Sequence, residues 1–491
     1  MIYKDYGKTG KKVSVIGFGT SRFRPEDYNS EEGREKLCNL LVKANDLGIN
    51  YFDTWDAYGD GKCEEIIGQA FKRMKNEHFI ATKTHDSFFD ADDVRRRIDS
   101  SLQKMGVEKI NFYHMWRILD MDQFYAYTRK GGPYEGAMKA KEEGLIDHIC
   151  FSAHCSGEDI EKIVSTGYFE GVLMGYNVIN FKYREKGLIA AEEKGLGVGI
   201  MNPLGGGVVP QNQEYFSFLK ENEEDEVTDS ALRFCTSQEG ISVVLSGMTN
   251  EEELLRNIAA VDNREVFSKD RIERIKLKIG EKLNTICNGC KYCRGCPKGI
   301  EPHHLMFAFN SYLLHDNNPR YFFEEIASWE DVPHKTYDCI GCGACEKKCS
   351  QHIEIRKNIG LINKMIERRQ SNIKAGLERC FGNRDGETIG IYAAGQYAKE
   401  MLRNYVEMNG SIDFDVFFFD SNPKVVGTDA VLPGNMVYSA DKIEEKGITR
   451  LIIASEKYYD EISGRLKYLE GKGVTFVKYT IGEQYKKPDL L

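Results

Sequence analysis

The sequence predicts an α/β protein in three consecutive parts: an eight-stranded β–α barrel, a compact cysteine-rich domain and a second, smaller β–α domain. Three observations predict it. Short apolar runs alternate with amphipathic stretches eight times before residue 280. Two four-cysteine runs follow, at 287–296 and 339–349, and the alternation starts afresh near residue 384. A chain of 491 residues has room for about three domains of ordinary size. Hydrophobic residues at 41% and charged residues at 29% are normal for a globular chain. A net charge of −9 gives no reason to expect a nucleic-acid or membrane partner.

The chain opens as a hairpin, IYKDYG and KKVSV joined by KTG. The strands of the first part are read at Val13–Gly19, Asn50–Thr54, Phe79–Lys83, Lys109–Trp116, His148–Ala153, Gly171–Tyr176, Gly197–Met201 and Val243–Gly247. Between them stand segments such as EEGREKLCNLLVKANDLG and ADDVRRRIDSSLQKMG. Their apolar residues recur three or four apart and a glycine closes each, as in a helix with a left-handed C-cap. Eight such repeats over about 250 residues indicate a (β/α)8 TIM barrel, here residues 1–280, with its active site at the C-terminal strand ends. An open doubly wound sheet is the alternative, and eight repeats in one run argue against it.

The cysteine runs read CNGCKYCRGCPKG and CIGCGACEKKCSQ. Three cysteines at steps of three let one loop place its thiolates around a corner of an iron–sulfur cubane, and the fourth ligand comes from elsewhere. By the rule for two-cluster ferredoxins, Cys287, Cys290, Cys293 and Cys349 hold one [4Fe–4S] cluster. Cys339, Cys342, Cys345 and Cys296 hold the second. Structural zinc prefers well-separated cysteine pairs, and disulfide frameworks belong to small secreted chains. Neither suits this pattern. Pro297 follows Cys296 as expected after a cluster ligand, whereas Ser350 stands where a proline would follow Cys349. The segments HHLMFAFNSYLLHD and NPRYFFEEIASWED between the runs read as helices, and a basic amphipathic helix follows, completing a ferredoxin-like domain over 281–380. Eight of the 14 cysteines lie in the runs and six are scattered. That usage, with no apolar leader or span-length segment, points to a cytoplasmic protein of an oxygen-poor cell.

From 384 to 491 the pattern is strand TIGIYAAG, helix QYAKEMLRNYVEMNG, strand DVFFFD, then LIIAS, a helix and VTFVKY. This is a Rossmann-like βαβ arrangement whose turn, Ala393-Ala394-Gly395-Gln396-Tyr397-Ala398, is a degraded glycine fingerprint. Asp420 ends the next strand, where a ribose-binding carboxylate would sit. A bare strand–helix turn explains the motif equally well, and the domain's role is left among ligand sensing, substrate delivery and oligomerisation.

The barrel's strand ends carry chemistry. FDTWDAYG puts Asp53 at the tip of the second strand and Tyr58 beyond it, and ATK puts Lys83 at the tip of the third. A phenol has a pKa near 10. An ammonium beside it would favour the phenolate, and a carboxylate would hold that ammonium in place. Asp–Tyr–Lys therefore suits protonation of a carbonyl oxygen during hydride transfer, although singly each residue could be a cap, a packed ring or a solvated end. Together with GFGT at 17–20, Tyr176–Asn177, NPLGGG at 202–207 and SGMTNEEELLRN at 246–257, these segments resemble the aldo-keto reductase family over nearly all of residues 1–280. Barrel and clusters together resemble its iron–sulfur branch.

The resemblance implies a nicotinamide cofactor lying across the barrel mouth and a catalytic tetrad that includes Asp53, Tyr58 and Lys83. It implies cofactor contacts at Gly19, Thr20, Ser152 and Asn177. Gly247, Met248, Glu252 and Asn257 would surround the phosphates, where a helix start favours anions. Two departures stand out. The slot of the tetrad histidine falls on Trp116, while His114 lies two residues earlier on the same face of the strand, one layer deeper, where reaching the site and serving as a hydrogen-bonded core histidine are equal alternatives. Trp116 would then wall the substrate, and His154, at the end of strand five, is a second candidate for the histidine's role. Glu253 falls where NADPH-preferring members carry arginine, which tilts the cofactor towards NADH.

Three functions follow. The first is NAD(P)H-dependent reduction of a small-molecule carbonyl, or oxidation of the alcohol, with clusters that are structural or redox-sensing. The second is electron transfer between a redox partner protein and the barrel site. It faces the mismatch between a two-electron hydride and one-electron clusters, and no flavin motif is found unless the C-terminal domain supplies one. The third is a non-catalytic ligand or redox sensor.

Overall fold

The computed structural model describes residues 1–84, 89–262, 266–279, 285–326, 336–429, 431–455 and 457–480. It divides into two compact units, Met1–Asn310 with Gly341–Arg356, and Ser311–Ile340 with Lys357–Leu491. Among the described residues, no helix is long and apolar enough to cross a membrane.

The first unit opens with an antiparallel hairpin of β1 (Tyr3–Asp5) and β2 (Lys12–Ser14). The barrel strands follow as β3 (Ile16–Gly19), β4 (Tyr51–Asp53), β5 (Phe79–Lys83), β6 (Ile110–Ile118), β7 (Ile146–Ala153), β8 (Gly171–Gly175), β9 (Gly197–Met201) and β10 (Val243–Gly247). They are parallel in sequence order, and β10 closes on β3 to make a complete barrel. The first strand read from sequence, Val13–Gly19, is in fact two. Ser14 pairs with Tyr3 in the hairpin, and Ile16 pairs with Val244 in the barrel, so the chain changes partner at Val15. β6 also runs two residues past its expected end. Its register slips between Met115 and Ile118, and Arg117 sits at φ 58 in this irregularity.

Tyr6, in the hairpin turn, plugs the barrel at the end opposite the site. It is fully buried with Tyr51, Phe79, Phe112 and Cys150, and its ring lies 4.4 Å from that of Phe112. The plug requires bare backbone at the starts of β8 and β9. A Cβ on Gly197 would lie 2.0 Å from Tyr6 Cδ1, and one on Gly171 would lie 2.8 Å from Tyr6 Cε1.

The second unit holds a five-stranded parallel sheet of β11 (Ile389–Tyr392), β12 (Val416–Asp420), β13 (Val437–Ser439), β14 (Arg450–Ile453) and β15 (Thr475–Lys478). Its spatial order is β13–β12–β11–β14–β15, which is 3-2-1-4-5 in chain order and thus Rossmann-like. The edge strand β13 escapes sequence reading because three residues are too few to show alternation. The helix Ile355–Phe381 sends Leu377, Cys380 and Phe381 into the core beneath this sheet. Of the two helices expected between the cysteine runs, the first is Pro302–Leu314. The second is Pro319–Glu325, and the rest of its expected span, from 327, lies outside the described residues.

Filling the space beneath Tyr6 is expected to overpack the barrel. Gly197→Ala should lower stability by about 1–3 kcal/mol, measured by urea unfolding followed through the aromatic near-UV signal.

Candidate active site and metal centre

Strands β4 and β5 end side by side, with Asp53 in register with Ala81 and Lys83 two residues further on, on the same face of β5 as Ala81. Lys83 Nζ donates to both Asp53 carboxylate oxygens at 2.7 Å and to the Thr54 carbonyl at 2.9 Å. Three bonds use all three ammonium hydrogens. The pair is buried, with side-chain exposures of 3% and 6%. Burial raises the Asp53 carboxyl above its usual range, and Lys83 pulls against that rise.

Tyr58 follows in the short turn Tyr58–Gly61, in which Gly59, Asp60 and Gly61 all have positive φ. Lys83 Nζ stands 5.5 Å from the centre of its ring. The depressed phenol expected from the sequence is not found. Burial first, then the charges of Asp53 and Tyr292, hold the Tyr58 hydroxyl well above its ordinary value. The reason is geometric: Lys83 has given its hydrogens to Asp53 and Thr54, so none is left for the phenol. Tyr58 is a neutral phenol.

On β6, His114 pairs in register with Lys83, and Phe112 below it with Ala81. His114 therefore faces the barrel interior level with the lysine. It is fully buried, and burial followed by the Lys83 charge lowers its pKa to about 3, against the opposing pull of a hydrogen bond with the Phe151 backbone. Trp116 stands at the rim and packs on Trp55 at 4.2 Å between ring centres, with Trp55 edge-on to Tyr58 at 5.5 Å. His154, just beyond β7, accepts or donates one bond with Ser152 Oγ at 3.3 Å. Burial, then Arg184, Arg117 and Lys83, lower it to about 3.

The rim holds a residue that sequence reasoning missed. Tyr292, from between Cys290 and Cys293, lies edge-on to Trp116 at 6.3 Å and to His154 at 5.5 Å. The Arg117 guanidinium sits 5.0 Å from the rings of both Trp116 and Tyr292, and makes no hydrogen bond or ion pair among the described residues. The only sequence signal was an aromatic inside a cysteine run. Nothing in barrel periodicity says that this loop reaches the strand ends.

The cofactor candidates divide in two groups. Near the mouth, Thr20 Oγ1 bonds Thr54 Oγ1 at 3.0 Å, Gly19 pairs in register with both Asp53 and Gly247, and Asn177 Nδ2 donates to the Asn202 carbonyl at 2.7 Å. At the end of β10, Met248 is buried, Glu252 is exposed and Asn257 Nδ2 donates to Ser246 Oγ. The helix start there is already capped from within. Asn250 accepts the Glu253 N–H, and Glu253 accepts from the Thr249 N–H at 2.7 Å. Glu253 is thus a capping residue as well as the specificity candidate. With Glu251, Glu252 and Glu253 in the first turn, that helix end repels an anion rather than attracting one. The nearby cation is Arg22, whose side chain overlies Gly247 so closely that a Cβ there would lie 2.4 Å from its Cγ. Arg22 escaped the sequence reading because only the folded chain brings residues 22 and 247 together.

Cys287, Cys290, Cys293 and Cys349 line one cavity, together with Gln351 and Ile353. Four thiols converging on a common space fit a four-thiolate cluster. Asn310 fixes the first ligand, accepting from the Cys287 N–H at 2.8 Å and donating to its carbonyl at 2.7 Å. Ser350, the residue in place of proline, puts its hydroxyl 3.5 Å from Cys290 Sγ. In the second set, Cys342 is exposed and Cys296, Cys339 and Cys345 are half-buried. Gly341 and Gly343 take positive φ in that loop. In the second unit both Asp420 oxygens are committed, accepting the N–H groups of Ala394 and Asn422 at 2.8 Å, so that carboxylate braces the turn.

A closed parallel barrel with Asp53, Tyr58 and Lys83 at its mouth, joined to a cysteine-lined metal site, defines an oxidoreductase of the iron–sulfur type. A model of the aldo/keto reductase family matches residues 15–279, and a model of the 4Fe-4S dicluster domain matches residues 286–354. The chain belongs to the aldo/keto reductase family and carries iron–sulfur clusters. It is similar to L-galactose dehydrogenase of Arabidopsis thaliana, at 27% identity over 298 residues, 54% of this chain and 89% of that protein. An uncharacterized oxidoreductase of Bacillus subtilis is 22% identical, over 54% and 92% of the two chains. NADH-specific methylglyoxal reductase of Escherichia coli is 21% identical, over 52% and 92%.

Removing one charge of the buried pair is expected to be costly. Asp53→Asn should lose about 3–5 kcal/mol by stranding Lys83, read as a drop in thermal midpoint. The buried histidines make stability pH-dependent. Their folded values lie below the unfolded value of about 6.5. Their contribution is therefore complete above pH ~6.5 and lost as pH falls from there towards about 3, at up to ~1.4 kcal/mol per pH unit for each. Thermal midpoints between pH 7.5 and 5 should fall, and His114→Asn should flatten the slope.

Proposed function

We propose that the protein is an NAD(P)H-dependent oxidoreductase that reduces the carbonyl of a small molecule or oxidises the matching alcohol, and that it carries two [4Fe–4S] clusters. The observation that supports this most is Tyr58, a neutral phenol beside the buried Lys83–Asp53 pair in an aromatic-walled mouth. The nicotinamide, when bound, supplies or accepts the hydride. Tyr58 donates its proton to the carbonyl oxygen as negative charge develops there. Lys83, pinned by Asp53, places fixed positive charge 5.5 Å from the Tyr58 ring without bonding to it. His114, neutral and level with Lys83, can donate one N–H towards the same oxygen from below. Trp55, Trp116 and Tyr292 exclude water from the mouth, and Gly19, Thr20, Ser152 and Asn177 border the space for the nicotinamide. Arg22 beside Gly247 offers the cation for its phosphates.

Two relatives act, by their names, on L-galactose and on methylglyoxal, which favours a small oxygenated carbonyl or polyol as substrate. The NADH specificity in the second name, together with Glu253 at the adenosine end, favours NADH. The free cysteines and the clusters suit a reducing cytoplasm.

A second reading, electron relay between a redox partner protein and the barrel site, is favoured by Tyr292. That residue sits between two cluster ligands and also packs against Trp116 and His154.

Tyr58→Phe should reduce carbonyl turnover by roughly 10²–10⁴-fold without changing iron content, and unchanged turnover would remove Tyr58 from its role. Anaerobic titration with NADH and NADPH, with cluster absorbance and EPR followed, separates the two readings. Clusters that stay oxidised support direct hydride reduction, and clusters that are reduced by either nucleotide support the relay. Cys349→Ser should cost about half of the bound iron, since it belongs to one ligand set of two, measured by iron analysis.

A further inference from the structure

Arg184 is the largest fully buried side chain among the described residues, with 1% of its surface exposed. It comes from the barrel helix Phe181–Lys194, which follows the Tyr176–Asn177 segment. Among the described residues it makes one hydrogen bond, from Nη2 to the carbonyl of Ser350 at 2.8 Å, and Nε and Nη1 have no partner. Among the described residues no carboxylate pairs with it. A guanidinium does not shed its proton, so a buried one requires a counter-charge.

The groups within electrostatic reach that would favour its charge as anions are Tyr183, Cys155, Cys349 and Cys290. Tyr183 and Cys155 are held neutral by burial, at values pushed far above ordinary pH. Cys349 and Cys290 belong to the ligand set that lines the cavity. The contact to Ser350 is tight on both sides. Ser350 follows Cys349 directly, its hydroxyl lies 3.5 Å from Cys290 Sγ, and Asn180 of the same barrel segment donates to Gln351 Oε1 at 3.1 Å.

We propose that Arg184 is the counter-ion of the cluster held by Cys287, Cys290, Cys293 and Cys349, and that it raises the reduction potential of that cluster. The inference rests on the assignment of those four ligands. A thiolate-ligated cubane carries net negative charge and gains one more on reduction, and a fixed buried cation favours the more negative form. The cation belongs to the barrel and the ligands to the cysteine runs, so cluster loading and docking of the Cys349–His352 segment on the barrel stabilise each other.

The test is an EPR-monitored redox titration of the anaerobically purified full-length holoprotein. Arg184→Met should shift one cluster's reduction equilibrium at least tenfold towards the oxidised form, about 59 mV for a one-electron couple, and move the other cluster less. Arg184→Lys keeps the charge and should restore most of the potential. Unchanged potentials in an iron-replete Arg184→Met protein would overturn the proposal. So would an iron-replete Arg184→Lys protein shifted as far as the methionine variant. If Arg184→Met does not fold, Arg184→Gln takes its place, read against Arg184→Lys with the same outcomes. Cys349→Ser provides the separate control: if the signal sensitive to Arg184 survives in it, the ligand assignment fails, whatever Arg184 does.

Discussion

A lysine and an aspartate buried against each other at adjacent strand ends set the geometry of the barrel mouth. Neither charge is tolerable alone in that position, because removing an ion from water costs far more than a packed apolar side chain would gain. The pair holds because β4 and β5 end side by side at the mouth, Asp53 in register with Ala81 and Lys83 two residues further on, which depends on the closed barrel and the register of these two strands. That register in turn depends on the opposite end, where Tyr6 fills the interior against backbone that carries no Cβ at Gly171 and Gly197.

The electrostatic consequence differs from simple pairwise expectation. A lysine near a tyrosine is usually read as an activator that draws the phenol towards ionisation. Here the carboxylate and the Thr54 carbonyl take every ammonium hydrogen, and what Tyr58 experiences is burial and the negative charge of Asp53. A phenol held neutral is suited to giving a proton to a developing alkoxide. His114 shares this character: uncharged and buried, it offers hydrogen bonding without adding charge to the mouth.

The iron–sulfur segment is built into the barrel's surroundings. Tyr292 closes the rim over Trp116 and His154, Arg117 lies between two aromatic rings in a strained backbone conformation, and Arg184 reaches the residue after a cluster ligand. Serine in place of proline at 350 gives that position a hydroxyl beside Cys290, while its carbonyl, which a proline would also offer, accepts from Arg184.

Local pattern was enough for much of this. Periods of two and of 3.6 residues mark strands and helices, and β5, β9 and β10 have the bounds expected of them. Cysteine spacing marks the iron–sulfur domain, because a loop with cysteines at steps of three can wrap one corner of a cubane. The motifs around Asp53, Tyr58 and Lys83 identify the family. What the sequence could not decide is everything that depends on distance between remote segments. That includes the switch of partner at Val15, the slip in β6, the placement of Tyr292 over the mouth, Arg22 across Gly247, the direction in which Tyr58 is tuned, and the burial of Arg184. Spacing along the chain encodes which groups a single element or loop presents. Charge, solvation and contact are properties of the packed interior, and only the closed barrel with its docked cysteine loop determines them.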